Sequence, residues 1–290
     1  MNNMSIDEII PRQKKPLLKG WMRALLIIVP LIVFSAAFQL AGYLMLGLDP
    51  ASGAKLTVTE RTVIQIISAT GILLLVFIFT RCLDRTNLKS LGLQLKGYGV
   101  DILTGIYTGA LMITLGFAIL LVLDEMHADG FDYDWYKIST GIVMFSVVAF
   151  SEELIMRGYI LNNLMQSMNK YLALAISSMI FSVLHIFNPN FDIMSFTSIM
   201  LAGLLLGISY IYTKNLWYPI ALHFSWNFFQ GTVFGFKVSG QETYSIIIQH
   251  PIENNILNGG EFGFEGSIIS QIFIVIAILM IWFFELKPES

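Results

Sequence analysis

The sequence predicts an all-α membrane protein, a bundle of about eight transmembrane helices around a polar intramembrane cavity. Three observations predict it. The 290-residue chain is 56% apolar and only 13% charged, with a mean hydropathy of +0.71, and a soluble domain would be about a quarter charged. Its apolar residues gather in windows of about 20 residues, the length that crosses the hydrocarbon core as a helix. Ionisable side chains recur inside three of those windows, where hydrocarbon makes them costly and function keeps them.

The windows lie near Trp21–Leu46, Thr62–Thr80, Val100–Leu123, Ile138–Ile160, Tyr171–Phe187, Phe196–Tyr212, Leu216–Phe236 and Ser267–Phe284. The first follows a basic segment, as in a signal peptide. Its apolar run to Leu48 is too long for the roughly 7–15 residues of an h-region, so it reads as a span. The fifth and sixth windows are short. Arg12, Lys14, Lys15, Lys19 and Arg23 stand at the start of the first span. Arg81, Arg85, Lys89 and Lys96 follow the second, and Lys170, Lys214 and Lys287 follow the fourth, sixth and eighth. The opposite connections carry only Lys55, Arg61, Lys137 and Lys237. This alternation places both termini in the cytoplasm, and an even number of spans agrees.

The organisation expected is a cytoplasmic tail (1–20), three N-terminal spans (21–137), a four-span catalytic core (138–236), and an external loop with a final span (237–290). Of the two longer external segments, Asp124–Lys137 is acidic and aromatic, and Lys237–Gly266 is rich in Gly and Asn, a lid or a mobile loop. The net charge of -3 and the absence of a basic stripe speak against a nucleic-acid partner. The lone Cys82 rules out an internal disulfide and a multi-cysteine metal site, and reads as a packing residue near a helix end.

The fourth window contains Ser151-Glu152-Glu153-Leu154-Ile155-Met156-Arg157. Three charges at a helix centre cost about 7–10 kcal/mol on insertion scales, against about 3–6 returned by ten large apolar residues. This span therefore needs partners, a water-filled cavity or protonated acids. Helix geometry separates the two glutamates. Glu153 and Arg157 are four apart, in the favourable Glu-before-Arg order, and share a face. Glu152 points about 140° away from Arg157 and is the less compensated carboxylate, a candidate general base or acid.

Two further pairs four apart occupy later spans, Phe181 with His185 and His223 with Asn227; His127 and His250 fall in external loops and read as surface residues. Neutral imidazoles with a carboxylate support two routes. His185, His223 and Glu152 would hold a zinc ion with an open water position. Alternatively, with no cofactor, the carboxylate takes the proton of water while the imidazoles and the Asn227 amide stabilise an oxyanion. The spacing leaves both open; the lack of a His-Glu-x-x-His pair weighs toward the second. No serine near the set lies in a Gly-x-Ser-x-Gly elbow, and paired intramembrane aspartates are absent. Gly203-x-x-x-Gly207 reads as close helix packing. Depth sets a condition. At about 1.5 Å per residue, His185 and His223 meet only through tilt, stagger or a distortion at Pro219, and the fourth helix must run past Arg157 toward Met168.

Glu152-Glu153-x-x-x-Arg157, Phe181-x-x-x-His185 and His223-x-x-x-Asn227, in this order on three spans, resemble the CPBP family of intramembrane proteases. That group includes the CaaX-processing endopeptidase and bacteriocin-processing or immunity proteins. The resemblance covers roughly Phe145 to Phe229. It implies an eight-helix membrane protease with a cavity open toward the cytoplasm. Glu152 would activate water with His185, His223 and Asn227 would hold the oxyanion or orient the water, and Glu153 with Arg157 would position the site. The function expected is an intramembrane endopeptidase acting on a membrane-associated protein or peptide, CaaX-type processing included. The alternative is a non-catalytic membrane binding or bacteriocin-immunity protein using the same cavity. The expected partners are that membrane-anchored substrate and the lipid bilayer.

Overall fold

The computed structural model describes residues 15–53 and 55–285; Arg12, Lys14, Lys287 and most of the 1–20 tail lie outside them. All eight apolar windows are helical. Five helical stretches are long and apolar enough to cross a membrane: Gly20–Met45, Val58–Cys82, Gly99–Val122, Trp135–Met165 and Ile193–Thr213. The first is two helices, α1 (Gly20–Leu26) and α2 (Ile28–Met45). Pro30 has no N–H to donate back to Leu26, and the helix breaks there. Next come α3 (Val58–Cys82) and α4 (Gly99–Val122), then α5 (Trp135–Glu153), which runs on as a π-helix over Leu154–Leu161 and as α6 (Asn162–Met165). The fourth span thus has the length past Arg157 that the sequence demands. The fifth, seventh and eighth windows form shorter helices: α7 (Lys170–Leu184), α9 (Trp217–Asn227) continued by a π-helix over Phe228–Val233, and α10 (Ile268–Glu285). Between the first two of these stands the sixth, α8 (Ile193–Thr213).

Helix starts follow local chemistry. Thr57 and Glu60 form a reciprocal capping box on α3, and Asp134, Asn169 and Asp192 cap α5, α7 and α8 with their side chains. Pro219 sits in the first turn of α9, where a missing N–H costs nothing, so it does not distort the seventh span. Cys82 does end a helix, but it is exposed rather than packed.

Successive helices alternate in direction, which gives the bundle two distinct ends. At the amino-terminal end Leu17 N donates to Leu83 O (3.0 Å), Leu216 N to Gly92 O (2.9 Å) and Asn215 Nδ2 to Gln94 O (2.8 Å). At the other end the two long connections are neither a free acidic loop nor a free lid. They pair as antiparallel strands β1 (Met126–Phe131) and β2 (Ile247–Pro251), with His127 opposite His250. Both histidines are exposed, and His250 pairs with Asp129. Lys55 reaches Glu242 (3.0 Å) and Arg61 Nη1 donates to Gln241 Oε1 (2.8 Å), which ties this strand end onto α3.

Two close helix contacts position the polar residues. A Cβ on Gly105 of α4 would meet Tyr218 O at 2.7 Å, and one on Gly109 would meet Leu222 O at 2.8 Å, so the paired glycines let α4 press onto α9. Ser225 Oγ donates to Ile106 O across the same contact (2.6 Å). A Cβ on Gly203 of α8 would come within 2.9 Å of Ser178 Cα on α7, as the small-residue spacing predicts. These contacts set His223 on α9 and His185 at the end of α7 against α5.

Candidate active site

Glu153 is fully buried, and its Oε1 accepts from Arg157 Nη1 and from His223 Nδ1, both at 2.8 Å. Arg157 is equally buried. Its Nη2 donates to Gly203 O (3.2 Å), and its guanidinium lies over the Phe181 ring at 4.6 Å from the centroid. Phe181 is thus more than a spacer in its motif: it stacks on the one cation of the cluster. The fourth, fifth and seventh spans meet through this chain of contacts, and the Glu153–Arg157 pair forms as the helix spacing predicts.

Glu152 is left outside that pairing. Its side chain is 27% exposed, and its Oε2 stands 3.9 Å from His223 Nε2. That separation is too long for a direct hydrogen bond. His185 caps the end of α7, with Nδ1 2.7 Å from Phe181 O. A carbonyl only accepts, so Nδ1 carries the hydrogen and Nε2 keeps a free lone pair. Among the described residues no hydrogen bond joins His185 to Glu152 or His223; Phe181 stands between, 4.6 Å from the His185 ring and 6.5 Å from the His223 ring by centroid. Glu152, His185, His223 and Asn227 all line one cavity of about 940 Å³.

Two of the helices that carry these residues loosen into π geometry, α5 after Glu153, in a segment that includes Arg157, and α9 after Asn227. Such segments concentrate at functional sites.

His185, His223 and Glu152, the donors considered for zinc, line the same cavity. Among the described residues no group of three or more His, Cys, Asp and Glu side chains is spaced to hold a metal ion. Each histidine commits Nδ1, to Glu153 or to Phe181 O, and leaves Nε2 toward the cavity, an arrangement that a metal ligand and a catalytic imidazole share.

Glu265 is a site residue that the motifs do not contain. It lies in the connection ahead of α10, lines the same cavity and accepts from Ser239 N. Burial pushes its carboxyl up to about 7, against the lowering pull of the Ser239 N–H and of the His223 imidazole. The signal that would have found it is plain: it is an acid placed two residues before the last apolar window.

Residues 134–229 match the family model described as type II CAAX prenyl endopeptidase Rce1-like. The match takes in Glu152, Glu153, Arg157, Phe181, His185, His223 and Asn227, and leaves Glu265 outside. It agrees with the CPBP resemblance. No curated protein and no solved structure matches the chain. With its long apolar helices, the match makes the chain an integral membrane protein, and the family it points to is one of proteases.

Proposed function

We propose that the protein is an intramembrane endopeptidase that hydrolyses a peptide bond of a membrane-anchored substrate, with Glu152 as general base. One observation carries this reading. Of two adjacent carboxylates, Glu153 is consumed by Arg157 and His223, while Glu152 faces the cavity 3.9 Å from an imidazole nitrogen. A purely structural ion cluster has no use for the second acid.

The chemistry follows from the partners. A doubly protonated His223 brings Glu152, Glu153, Arg157 and His223 to zero net charge, the balance that a low-dielectric core favours. Its Nδ1–H is held by Glu153, and its Nε2–H is free to donate to the scissile carbonyl oxygen. The Asn227 amide supplies a second donor to the same oxygen, which stabilises the negative charge that develops there. Glu152 accepts a proton from a water oriented by the His185 Nε2 lone pair. The water oxygen bonds to the carbonyl carbon, and Glu152 returns the proton to the amide nitrogen as the C–N bond breaks. Glu153 and Arg157 position the imidazole and do not touch the substrate.

The test is Glu152→Gln, which keeps the shape and removes the base. Cleavage of the membrane-anchored substrate should be lost, while the purified protein keeps its helical content and melting temperature in detergent. Full biological activity in this variant would replace the peptidase with a binding function. Assay after a strong chelator separates the two water-activation routes: survival of the Glu152-dependent activity is the expected outcome.

A further inference from the structure

The cavity opens at a definite end of the bundle. Its rim includes Ser239, Gln241 and Glu265 from the strand-end connections and His185 to Asn188 beyond α7. No connection from the amino-terminal end, neither 83–98 nor 166–169 nor 214–216, contributes to its lining. One wall is formed by α2, where Ile32, Ala36 and Gln39 face inward yet remain exposed. Opposite them Val183, Ile186 and Phe187 also line the cavity while 48%, 52% and 93% exposed. Between α2 and the end of α7 the cavity is therefore open sideways, toward the position of lipid.

Charge says which face of the membrane this is. Of the 14 Lys and Arg among the described residues, nine lie at the amino-terminal end, four at the strand end, and Arg157 lies between. Lysine and arginine mark the cytoplasmic side. The strand end instead gathers acids: Asp124, Glu125, Asp129, Asp132 and Asp134 in one connection, and Glu242, Glu253 and Glu261 in the other. A cytoplasmic amino terminus and a cavity open toward the cytoplasm, each expected from the sequence, are incompatible in this fold.

We propose that the cavity faces the non-cytoplasmic side, and that its substrate is a membrane-anchored peptide whose scissile bond lies in the outer half of the bilayer, entering between α2 and the end of α7. The nature of this occupant rests on the peptidase reading; the sidedness does not. A peptide anchored by an apolar segment fits the lateral opening, whose walls are aliphatic and aromatic with a few amides and hydroxyls. Once inside, its backbone meets the Glu152 and His223 pair from the strand end. Substrates delivered from the cytoplasmic face would have to cross the packed amino-terminal half of the core, where Leu154, Tyr159, Ile160 and Leu161 are at most 1% exposed.

The chain's single cysteine provides an internal control. Cys82 is exposed at the amino-terminal end of the bundle. In sealed right-side-out vesicles, a membrane-impermeant maleimide should leave Cys82 unlabelled until the membrane is permeabilised. Gln241→Cys at the cavity rim and Lys55→Cys beside it, each in a Cys82→Ser background, should label at least tenfold faster than Cys82 without permeabilisation. The reverse pattern overturns the sidedness, and Lys55→Cys, a fully exposed site, gives the answer even if Gln241→Cys folds poorly. The second arm uses a single-span reporter carrying a quenched fluorescent peptide on one face or the other. Cleavage, abolished by Glu152→Gln, is expected only when the peptide shares the face of Gln241. Cleavage from the Cys82 face alone, or equally from both, overturns the proposal. Cleavage from neither, with the labelling as expected, overturns the occupant together with the peptidase reading and leaves the sidedness standing.

Discussion

Two buried polar clusters occupy different levels of this bundle, and they differ in how their charges are paired and in access. At the amino-terminal end Arg23 pairs with Asp84, and its second Nη donates to Gln166 Oε1 (2.6 Å), with Asn163 Nδ2 3.4 Å from Asp84 Oδ2. Arg23 and Asp84 are 2% and 7% exposed. One cation meets one anion, two amides add hydrogen bonds, and none of these side chains lines the cavity. In the middle of the bundle the one guanidinium is taken up by Glu153, and Glu152, outside that pair, faces a cavity of about 940 Å³. A cluster whose charges are directly paired and sealed by packing locks helices together; one that leaves a carboxylate without a direct partner beside a cavity has a group left over to react. Arg23 illustrates the point from the sequence side, where it reads only as one more cytoplasmic cation.

The largest expected effect separates the clusters by function. Glu152→Gln should lower turnover by about 10²–10⁴-fold, the range of a lost general base, with little change in melting temperature. Asp84→Asn should leave turnover per folded molecule unchanged. Equal losses of turnover from both, measured on detergent-purified protein, would erase the distinction. Next come the guanidinium deletions. Arg157→Met and Arg23→Met each strand a buried carboxylate and should cost about 3–5 kcal/mol of stability, read from denaturant unfolding. Only Arg157→Met should also impair catalysis in the surviving folded fraction, because Glu153 then loses the partner that fixes it against His223. An Arg157→Met protein of normal stability contradicts the pairing. A smaller effect belongs to Gly203→Ala, whose added methyl meets Ser178 Cα at 2.9 Å. Overpacking of this kind costs about 1–3 kcal/mol, and it should shift the Gly203 carbonyl away from Arg157. A lowered kcat with nearly unchanged KM is the expected signature.

Much of this arrangement was legible in residue order. The eight helices followed from apolar windows, and the Glu153–Arg157 pairing with a spare Glu152 followed from the angle between successive residues. The overextended fourth helix followed from the need to bring Glu152 to the depth of the histidines. Other features depend on contacts between segments distant in the chain. The π segments after Glu153 and Asn227 relieve backbone packing that sequence periodicity does not encode. The pairing of β1 with β2 joins strands over a hundred residues apart, each too short to be told from a loop. The close approach at Gly105 and Gly109 repeats the spacing of Gly203 and Gly207, but which helix each pair meets is set only in the assembled bundle. Which end the cavity opens toward is a property of the assembled helices, and there the family expectation and the charge pattern disagree.

Glu265 supplies the smallest and most selective test, because it belongs to none of the three motifs and yet borders the reactive cluster. The groups facing it are the Ser239 N–H and the ionisable side chains of His223 and Glu152. Its carboxyl is raised from 4.5 to about 7 in the folded protein. A raised carboxyl binds its proton more tightly when folded, so its contribution to stability is complete below about pH 4.5 and is lost as pH rises through about 7. Wild-type protein should therefore lose stability across that window, and Glu265→Gln, neutral throughout, should show a flatter profile in thermal melts taken from pH 4.5 to 8. Because Glu265 raises the local negative potential only once ionised, the alkaline limb of the activity profile should flatten in the same variant while Glu152 dependence persists. Identical profiles for Glu265→Gln and wild type would show that the charge surplus bordering the cavity ends at Glu152.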